Sequence, residues 1–326
     1  MDLSLVIPLY NEAESLPELK AWIEASLKDF TYELIFVDDG STDDSWEVIR
    51  KMADQVGHDN PSCPSPTGHL VRGIRFRRNY GKSAALFEGF AAAQGDIVVT
   101  MDADLQDSPE EIPEMVRMIR EEGYDLVSGW KQHRKDNALT KNLPSKLYNW
   151  TARKVTGIKL HDMNCGLKAY KADVVKNIEV YGEMHRYIPY LAKNAGFNKI
   201  GEKPVHHQKR KFGVSKFGMD RFVHGFLDLM SLWFLSRFGG KPMHFFGASG
   251  ILMFLVGFIM TICIVVTKVV HQSSGLKYRA VTDQPLFYLA LLTVVLGVML
   301  FLAGFIGEMI ARNAEGRNTY QIKERL

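Results

Sequence analysis

Three aspartates that directly follow an apolar run are the residues best suited to chemistry in this sequence. Asp102, Asp104 and Asp107 come within six residues after IVVTM (97–101). Residues two apart on an extended strand point to the same side, so continued strand geometry would bring Asp102 and Asp104 together. Mg²⁺ or Mn²⁺ relieves their repulsion, because these ions take oxygen ligands from one or two carboxylates and from substrate phosphates. The spacing therefore predicts a divalent-cation site, with Gln106 as a further ligand or an outer-shell partner.

The same stretch also fits the start of a helix. Pro109 is suited to a first helical position, and Asp107 or Ser108 to the N-cap before it. Asp102 and Asp104 lie too far upstream to cap this helix. The sequence thus predicts both a cap at Asp107 or Ser108 and a cation site just before it.

A second acidic pair, Asp38 and Asp39, follows the apolar run ELIFV (33–37). One interpretation is a turn with a helix cap at Ser41 or Asp43. The functional interpretation is that one of the two carboxylates accepts a hydrogen bond from an N–H of a nucleotide base.

Both acidic clusters come from a pattern of alternating strands and helices. This pattern predicts an α/β fold with a mostly parallel sheet covered by helices on both faces. Ligands of such sheets bind beyond the carboxyl ends of the strands, where both clusters fall. The predicted strands are 3–8, 33–37, 71–76, 96–101 and 125–129, and the predicted helices are 15–28, 44–56, 82–94 and 109–122, with an exposed loop at 57–69.

The last third of the chain has a different character. Residues 245–267 and 284–307 contain no charged residue, and each run exceeds the roughly 20 residues needed to cross a bilayer. Basic residues before the first run and after the second favour cytoplasmic ends. Residues 219–238 are apolar with polar interruptions, which fits an interfacial helix or a plain core helix.

Composition narrows the class of protein. The 326 residues carry a formal net charge of +3, too small to indicate nucleic-acid binding. Cys63, Cys165 and Cys263 lack the spacing of a disulfide framework or a zinc site. The first ten residues read as a strand rather than a signal peptide, which predicts a cytoplasmic N-terminal part.

Four motifs in order resemble those of family 2 glycosyltransferases with the GT-A fold. They are PLYNE (8–12), VDDGSTD (37–43), RNYGKSAAL (78–86) and MDADLQDSPE (101–110). Within that family, DADLQ, DMNCGLKAY (162–170) and the terminal hairpin are most similar to membrane-anchored polyisoprenyl-phosphate glycosyltransferases of the dolichyl-phosphate mannose synthase type.

The resemblance implies a role for each matching residue on the donor side. Asp39, with Asp38, binds the base, and Asp102 lies near the ribose and diphosphate. Asp104 and Gln106, with Asp102, hold Mg²⁺ or Mn²⁺. The remaining implied donor residues are Pro8, Tyr10 and Glu12 in the nucleotide pocket and Gly81 and Lys82 at a helix N-terminus, a favourable place for anions.

The acceptor side is implied by two basic segments. The family grips a lipid phosphate with basic residues there, and the best matches are Arg134, Arg210 and Lys216, with Ser215 beside them. The dolichyl type often has arginine where this chain has Lys131 or Lys168, so the identity of the gripping residue stays open.

Three further residues have alternative interpretations. Asp162 is either a catalytic group or a loop cap. His185 and Arg186 either face the donor or acceptor, or form a salt bridge with Glu183.

The implied activity is inverting transfer of a hexose-type sugar from a UDP- or GDP-linked donor to a polyprenyl phosphate. A phosphate acceptor is already ionised near pH 7 and needs positive charge rather than a general base. The alternatives are transfer to a hydroxyl of a lipid-linked sugar or polymer, with Asp162 as base, and a non-catalytic nucleotide-sugar-binding membrane protein.

The implied organisation places the enzyme in the cell membrane. It comprises a catalytic domain (1–218), a juxtamembrane segment (219–243), a membrane hairpin (244–310) and a basic tail (311–326), with both termini cytoplasmic. The oligomeric state is open, and a homo-oligomer is compatible with the sequence.

Overall fold

A computed structural model describes residues 1–57, 70–131, 153, 156–208, 211, 234, 242–275, 279–313 and 322–325. The chain divides into two compact units. One comprises Met1–Leu229 together with Arg317–Leu326, and the other Met230–Gly316. Residues 58–69 of the predicted loop 57–69 and most of the predicted interfacial segment lie outside the described residues.

The first unit is built on a mostly parallel sheet, as the alternating pattern predicts. Its strands are β1 (Leu3–Leu9), β2 (Tyr32–Asp38), β3 (Leu70–Phe76), β4 (Ile97–Thr100), β5 (Leu126–Trp130), β6 (Lys168–Lys171), β7 (Ile200–Pro204) and β8 (Ile322–Arg325). Among the described residues their order is β7-β5-β6-β4-β1-β2-β3-β8. Strand β6 runs antiparallel to both β4 and β5, and β8 runs antiparallel to β3.

Helices connect most of these strands. They are α1 (Leu16–Ser26), α2 (Ser45–Gly57), α3 (Lys82–Ala92), α4 (Ile112–Arg120), α5 (Ala172–Lys176) and α6 (Ile188–Asn194). A 3₁₀ turn at Pro109–Glu111 precedes α4, so the helix predicted from residue 109 becomes α-helical only at Ile112.

The central strands are buried on both faces of the sheet, as their largely hydrophobic sequences lead one to expect. All seven residues of β1 and all seven of β2 are buried. Leu3, Leu5 and Ile7 belong to a core cluster that also contains side chains of α1, α2 and α4. Val6 meets the opposite helix, α3, so closely that a Cβ at Gly89 would lie 2.2 Å from its Cγ1.

The register brings the two acidic clusters to one edge of the sheet. Leu9 pairs with Asp38, the last residue of β2, and Val6 pairs with Thr100, the last residue of β4. Both strands therefore end beside β1 and send their loops to the same side, as expected for parallel strands.

The second unit contains two long apolar helices, α7 (Pro242–Ser273) and α8 (Pro285–Asn313). Each is long and apolar enough to cross a membrane. They pack through small residues: a Cβ at Gly250 would lie 2.6 Å from the carbonyl oxygen of Gly297, and one at Gly257 would lie 2.8 Å from that of Ala290. Most of their large apolar side chains are exposed, which suits contact with lipid.

The sequence analysis did not predict β8. This strand follows α8 in the chain but belongs to the first unit, where Ile74 pairs with Arg325 and Arg75 with Glu324. The Arg325 guanidinium also contacts a carboxylate oxygen of Glu88 in α3 at 2.8 Å. The segment predicted as a basic tail thus includes a strand of the sheet in the first unit.

Candidate active site at the carboxyl edge of the sheet

The DADLQD loop, residues 102–107, begins where β4 ends at Thr100. Buried and partly exposed residues alternate along it, although the strand does not continue. The buried positions are Met101, Ala103 and Leu105, and the partly exposed ones are Asp102, Asp104 and Gln106. Leu105 has a φ of 59°, a left-handed conformation that costs about 1–2 kcal/mol in a residue with a side chain. The chain turns there while its polar side chains keep to the partly exposed positions.

Asp102 is paired with Lys82, the first residue of α3. About a third of each side chain is exposed, so the pair lies at the surface of the edge. Burial raises the pKa of the Asp102 carboxyl, but the Lys82 charge outweighs it and holds the pKa below its usual range. Asp102 is therefore ionised, with a cation beside it that is also suited to a donor phosphate.

Asp104 has a different environment. Burial and the charges of Asp102 and Asp107 raise the pKa of its carboxyl to about 6. Its Oδ1 accepts a hydrogen bond from the backbone N–H of Gln106 at 3.2 Å, and the Gln106 side-chain amide donates to the carbonyl oxygen of Gln208 at 3.4 Å.

The oxygen ligands that Asp102, Asp104 and Gln106 offer fit a magnesium or manganese ion whose remaining ligands come from the substrate. Within the part of the chain that the structure describes, no group of three or more His, Cys, Asp or Glu side chains is arranged to hold a metal alone. Magnesium sites commonly use one or two carboxylates and take further oxygens from substrate phosphates. A carboxylate whose ionisation is opposed by acidic neighbours, as that of Asp104 is, gains most from a nearby cation.

Asp107 has a role that the sequence analysis missed. Ser108 takes the N-cap position of the 3₁₀ turn without a side-chain cap hydrogen bond, and Asp107 is turned inward instead. Its side chain is fully buried, with Oδ1 2.7 Å from Lys131 Nζ and 3.6 Å from His207 Nδ1. Burial raises the pKa of Asp107, but His207 and Lys131 together hold it well below its usual range. Of the two residues predicted for the cap, Ser108 therefore takes the N-cap position, while the Asp107 carboxylate is engaged in the interior by Lys131.

Asp38 and Asp39 have different hydrogen-bond partners. Asp38 is buried and its Oδ1 accepts the N–H of Ser41 at 2.8 Å, which makes it the turn residue. Asp39 accepts the N–H groups of Tyr80 at 2.7 Å and of Gly81 at 2.9 Å. Burial, supported by the Asp38 charge, raises the pKa of Asp39 to about 6 against these two hydrogen bonds. Asp39 thereby ties the start of α3 to the end of β2.

The PLYNE segment, residues 8–12, lies at the same carboxyl edge of the sheet. Pro8 is buried within β1, and Tyr10 is partly exposed directly after the strand. The backbone N–H of Glu12 donates to Ser45 Oγ at 3.0 Å, which holds the segment against the start of α2. Pro8 is therefore part of the strand, while Tyr10 and Glu12 follow it as partly exposed residues at the carboxyl edge.

His185 contacts the first turn of α3 through Ser83. Its backbone N–H donates to Ser83 Oγ at 3.0 Å, and its ring Nδ1 lies 3.1 Å from the same hydroxyl. Burial and the charges of Lys82 and Arg186 lower the pKa of His185 to about 3, so the ring is neutral at pH 7. Arg186 forms the ion pair with Glu183 that the sequence offered as its plain interpretation, at 3.6 Å.

The residues predicted to meet the acceptor are only partly described. Arg134, Arg210, Ser215 and Lys216 lie outside the described residues. Lys131 is engaged by Asp107, and Lys168 is 3% exposed and donates to the carbonyl oxygen of Cys165. Asp162 is 2% exposed, with Oδ1 accepting the N–H of Asn164 at 3.1 Å, which fits the loop-cap alternative.

Comparison with known sequences identifies relatives along nearly the whole chain. The family described as "Glycosyl transferase family 2" matches residues 4–179. The dodecaprenyl-phosphate galacturonate synthase of Rhizobium johnstonii is 34% identical over 315 residues, which cover 96% of this chain and 88% of that protein. The undecaprenyl-phosphate 4-deoxy-4-formamido-L-arabinose transferase of Shewanella sediminis is 35% identical over 332 residues, covering 98% of this chain and 91% of that protein.

Solved structures share the fold of the catalytic sheet. Glucosyl-3-phosphoglycerate synthase from Mycobacterium tuberculosis, in complex with UDP, has a TM-score of 0.52 and 19% sequence identity. The match covers 72% of this chain and 79% of that one. At this identity the likeness concerns the fold, and it agrees with the GT-A architecture expected from the motifs.

Proposed function

Because the chain belongs to glycosyltransferase family 2, we propose that it transfers a hexose-type sugar from a nucleotide sugar to a polyprenyl phosphate, with inversion at the anomeric carbon. The chain is a glycosyltransferase. The observation that supports a polyprenyl-phosphate acceptor is the match to transferases named for dodecaprenyl or undecaprenyl phosphate. This match extends over 95% or more of the chain and includes both apolar helices.

The donor is proposed to lie along the carboxyl edge of β1, β2 and β4. Asp39 receives the base and Asp102 faces the ribose and diphosphate. Lys82 brings positive charge to the same place, and Gly81 begins α3, whose N-terminus favours an anion. UDP and GDP donors both fit this description.

A divalent cation bound by Asp104, with Gln106 and Asp102, would neutralise the charge that builds up on the departing nucleoside diphosphate. The other contributions come from the chain itself. Lys82 stabilises the same leaving group, and its pairing with Asp102 keeps the ammonium at the edge. Such fixed charges act where the new charge develops in the transition state.

A phosphate acceptor is consistent with the environment of Asp162. This carboxylate is buried and caps its own loop, so it is poorly placed to take a proton from an attacking hydroxyl. An ionised phosphate needs no such base. Arg134, Arg210, Ser215 and Lys216 remain the proposed ligands of the acceptor phosphate.

The reaction is proposed to occur at the cytoplasmic face of the cell membrane, with α7 and α8 as a membrane hairpin. The pairing of β8 with β3 supports this arrangement, because the chain must return after α8 to the side where the sheet lies. Basic residues that precede α7 and follow α8 in the sequence favour a cytoplasmic location for both ends of the hairpin. The separate juxtamembrane segment (219–243) remains a prediction.

The test of this proposal is transfer of label from a set of radiolabelled UDP- and GDP-sugars to undecaprenyl phosphate in the presence of Mg²⁺. We expect label in the lipid fraction with at least one donor. No label with any donor, from protein that binds nucleotide, would refute the polyprenyl-phosphate acceptor.

Asp104→Asn tests the metal assignment in the same assay. We expect a loss of roughly 100-fold or more in turnover, since leaving-group charge is no longer neutralised. Asp29→Asn, an exposed aspartate after α1, is the matched control and keeps normal turnover. Near-normal turnover of Asp104→Asn would contradict the assignment.

A further inference from the structure

The HDMNCG loop, residues 161–166, is held in place by one carboxylate on a neighbouring strand. Glu202 of β7 accepts the backbone N–H of His161 at 2.7 Å and that of Asp162 at 3.0 Å through Oε1. Its Oε2 lies 2.7 Å from His161 Nδ1. The Glu202 side chain is only 11% exposed, so these contacts are screened little by solvent. A single side chain thus fixes the beginning of the loop.

The end of the loop is fixed from β4 and β6. Thr100 Oγ1 donates to the carbonyl oxygen of Gly166 at 3.0 Å. The ammonium of Lys168, a buried side chain, donates to the carbonyl oxygen of Cys165. The loop is therefore held at both ends by groups that do not belong to it.

The loop ends directly against the carboxylate of Asp102. A Cβ at Gly166 would lie 2.4 Å from Asp102 Oδ2 and 2.7 Å from Asp102 Cγ, closer than real Cβ contacts. The need for glycine here is one of space, since Gly166 is absent from the residues with positive φ. The other carboxylate oxygen, Oδ1, is engaged by Lys82. Asp102 is therefore confined between an ammonium group on one side and the loop backbone on the other.

From these contacts we propose that Gly166 and Glu202 are positioning residues for the transferase reaction. Gly166 sets the carboxylate of Asp102 toward the donor, and Glu202 sets the loop that carries Gly166. This inference rests on the proposed donor role of Asp102. It assigns a task to the DMNCGLKAY motif, which the donor and metal assignments leave unused.

Gly166→Ala and Glu202→Gln test the inference in the full-length protein. The measurement is the dissociation constant of a nucleotide sugar with Mg²⁺ by calorimetry, together with kcat and KM for transfer. We expect donor binding at least about tenfold weaker, and kcat lower by up to about a hundredfold, as small displacements of positioned groups produce.

Two matched controls separate positioning from general damage to the fold. Gly95→Ala places a Cβ 2.6 Å from the backbone of Leu3, an equal crowding at the opposite edge of the sheet. Glu33→Gln alters another buried carboxylate, which receives hydrogen bonds from Ser4 and Gln94. We expect both controls to lower the melting temperature while the donor dissociation constant stays within about twofold of wild type, a change of less than 0.5 kcal/mol.

A double-mutant cycle with Asp102→Asn decides the matter. If Gly166 and Glu202 act through Asp102, adding either substitution to Asp102→Asn weakens donor binding no further. Additive losses would overturn the inference. If Gly166→Ala does not fold, the Glu202→Gln cycle gives the same decision. Unchanged donor binding in Asp102→Asn alone would instead remove the proposed donor role of Asp102, a result distinct from additivity.

Discussion

Individual carboxylates at the edge of the sheet differ mainly in what neutralises them. Asp102 has the Lys82 ammonium, Asp107 has Lys131 in the interior, and Asp39 has two backbone N–H groups. Asp104 is different, since burial and then the charges of Asp102 and Asp107 raise its pKa. Residues of one type thus have different environments at one edge of the sheet, which is the basis for the different roles proposed for Asp39, Asp102 and Asp104.

Asp39 gives the clearest pH dependence. Its pKa lies above the ordinary 3.8, at about 6, so the fold favours the neutral carboxyl and that stabilisation is lost as pH rises from 3.8 through 6. Binding of a base N–H favours the ionised form. We therefore expect affinity for the free nucleoside to fall roughly tenfold between pH 8 and pH 5, as the ionised fraction falls.

A free nucleoside tests Asp39 alone, because the nucleoside has no phosphate and its binding needs no metal. Titration of a phosphate or of a metal ligand therefore cannot account for the change in affinity. Equilibrium dialysis without divalent cation measures the affinity, and Asp39→Asn is the control, with weak binding at every pH. A wild-type affinity that does not change between pH 5 and pH 8 would contradict the assignment of Asp39 to the base.

At the scale of elements, the hairpin depends on residues that lack side chains. Gly250, Gly257, Gly297 and Gly304 all lie where α7 and α8 approach closely. The spacing of seven within each helix keeps these positions on one side. Close approach of the backbones replaces the hydrophobic driving force that is missing between helices in lipid.

Gly297→Leu tests this packing. Its Cβ would lie 2.6 Å from the backbone nitrogen of Phe254, so the helices must separate, and we expect a loss of roughly 1–3 kcal/mol in stability. Thermal unfolding in detergent measures the loss. Ala303→Leu, at an exposed position of α8, is the control and should change stability little. Equal stability of both variants would contradict close packing at Gly297.

Elements formed by local pattern were predictable from the sequence, and those formed by distant partners were not. Strands β1, β2, β4 and β5 are mostly apolar, β3 alternates apolar residues with arginines, and the prediction placed each within about one residue of its observed ends. The sequences KAYK of β6 and IKER of β8 carry too many charges to read as strands. They form because existing edges offer hydrogen bonds, a non-local cause.

The same distinction applies to the site. Asp102 and Asp104 could be proposed as site residues from the sequence because their spacing and their place after a strand are local features. The partners of Asp107 lie at Lys131 and His207, and Glu202 lies 40 residues beyond the loop that it holds at Asp162. The signal for Asp107 was the alternation of buried and partly exposed residues from 101 to 106. Continued by one residue, this alternation makes position 107 a buried one.

For the molecule as a whole, the informative fact is that one sheet contains strands from before and after the two apolar helices. Two crossings return a chain to the side from which it started. The proposed topology therefore places the link around Ser274 opposite Asp29.

Single cysteines check this topology in a background that carries Cys63→Ser, Cys165→Ala and Cys263→Ala. We expect Ser274→Cys to react with a membrane-impermeant maleimide on intact cells, because the link lies outside. Asp29→Cys should react only after permeabilisation. Labelling of Asp29→Cys on intact cells, or protection of Ser274→Cys, would contradict the proposed orientation.

The pairing of β8 with β3 also orders events during synthesis. Residues 322–325 leave the ribosome only after both long helices have been made. Until then one side of β3 lacks its strand partner, and open strand edges invite aggregation. Each new chain therefore completes its catalytic sheet only after the hairpin has been translated, so that delayed membrane insertion would prolong the time for which this edge is exposed to other chains.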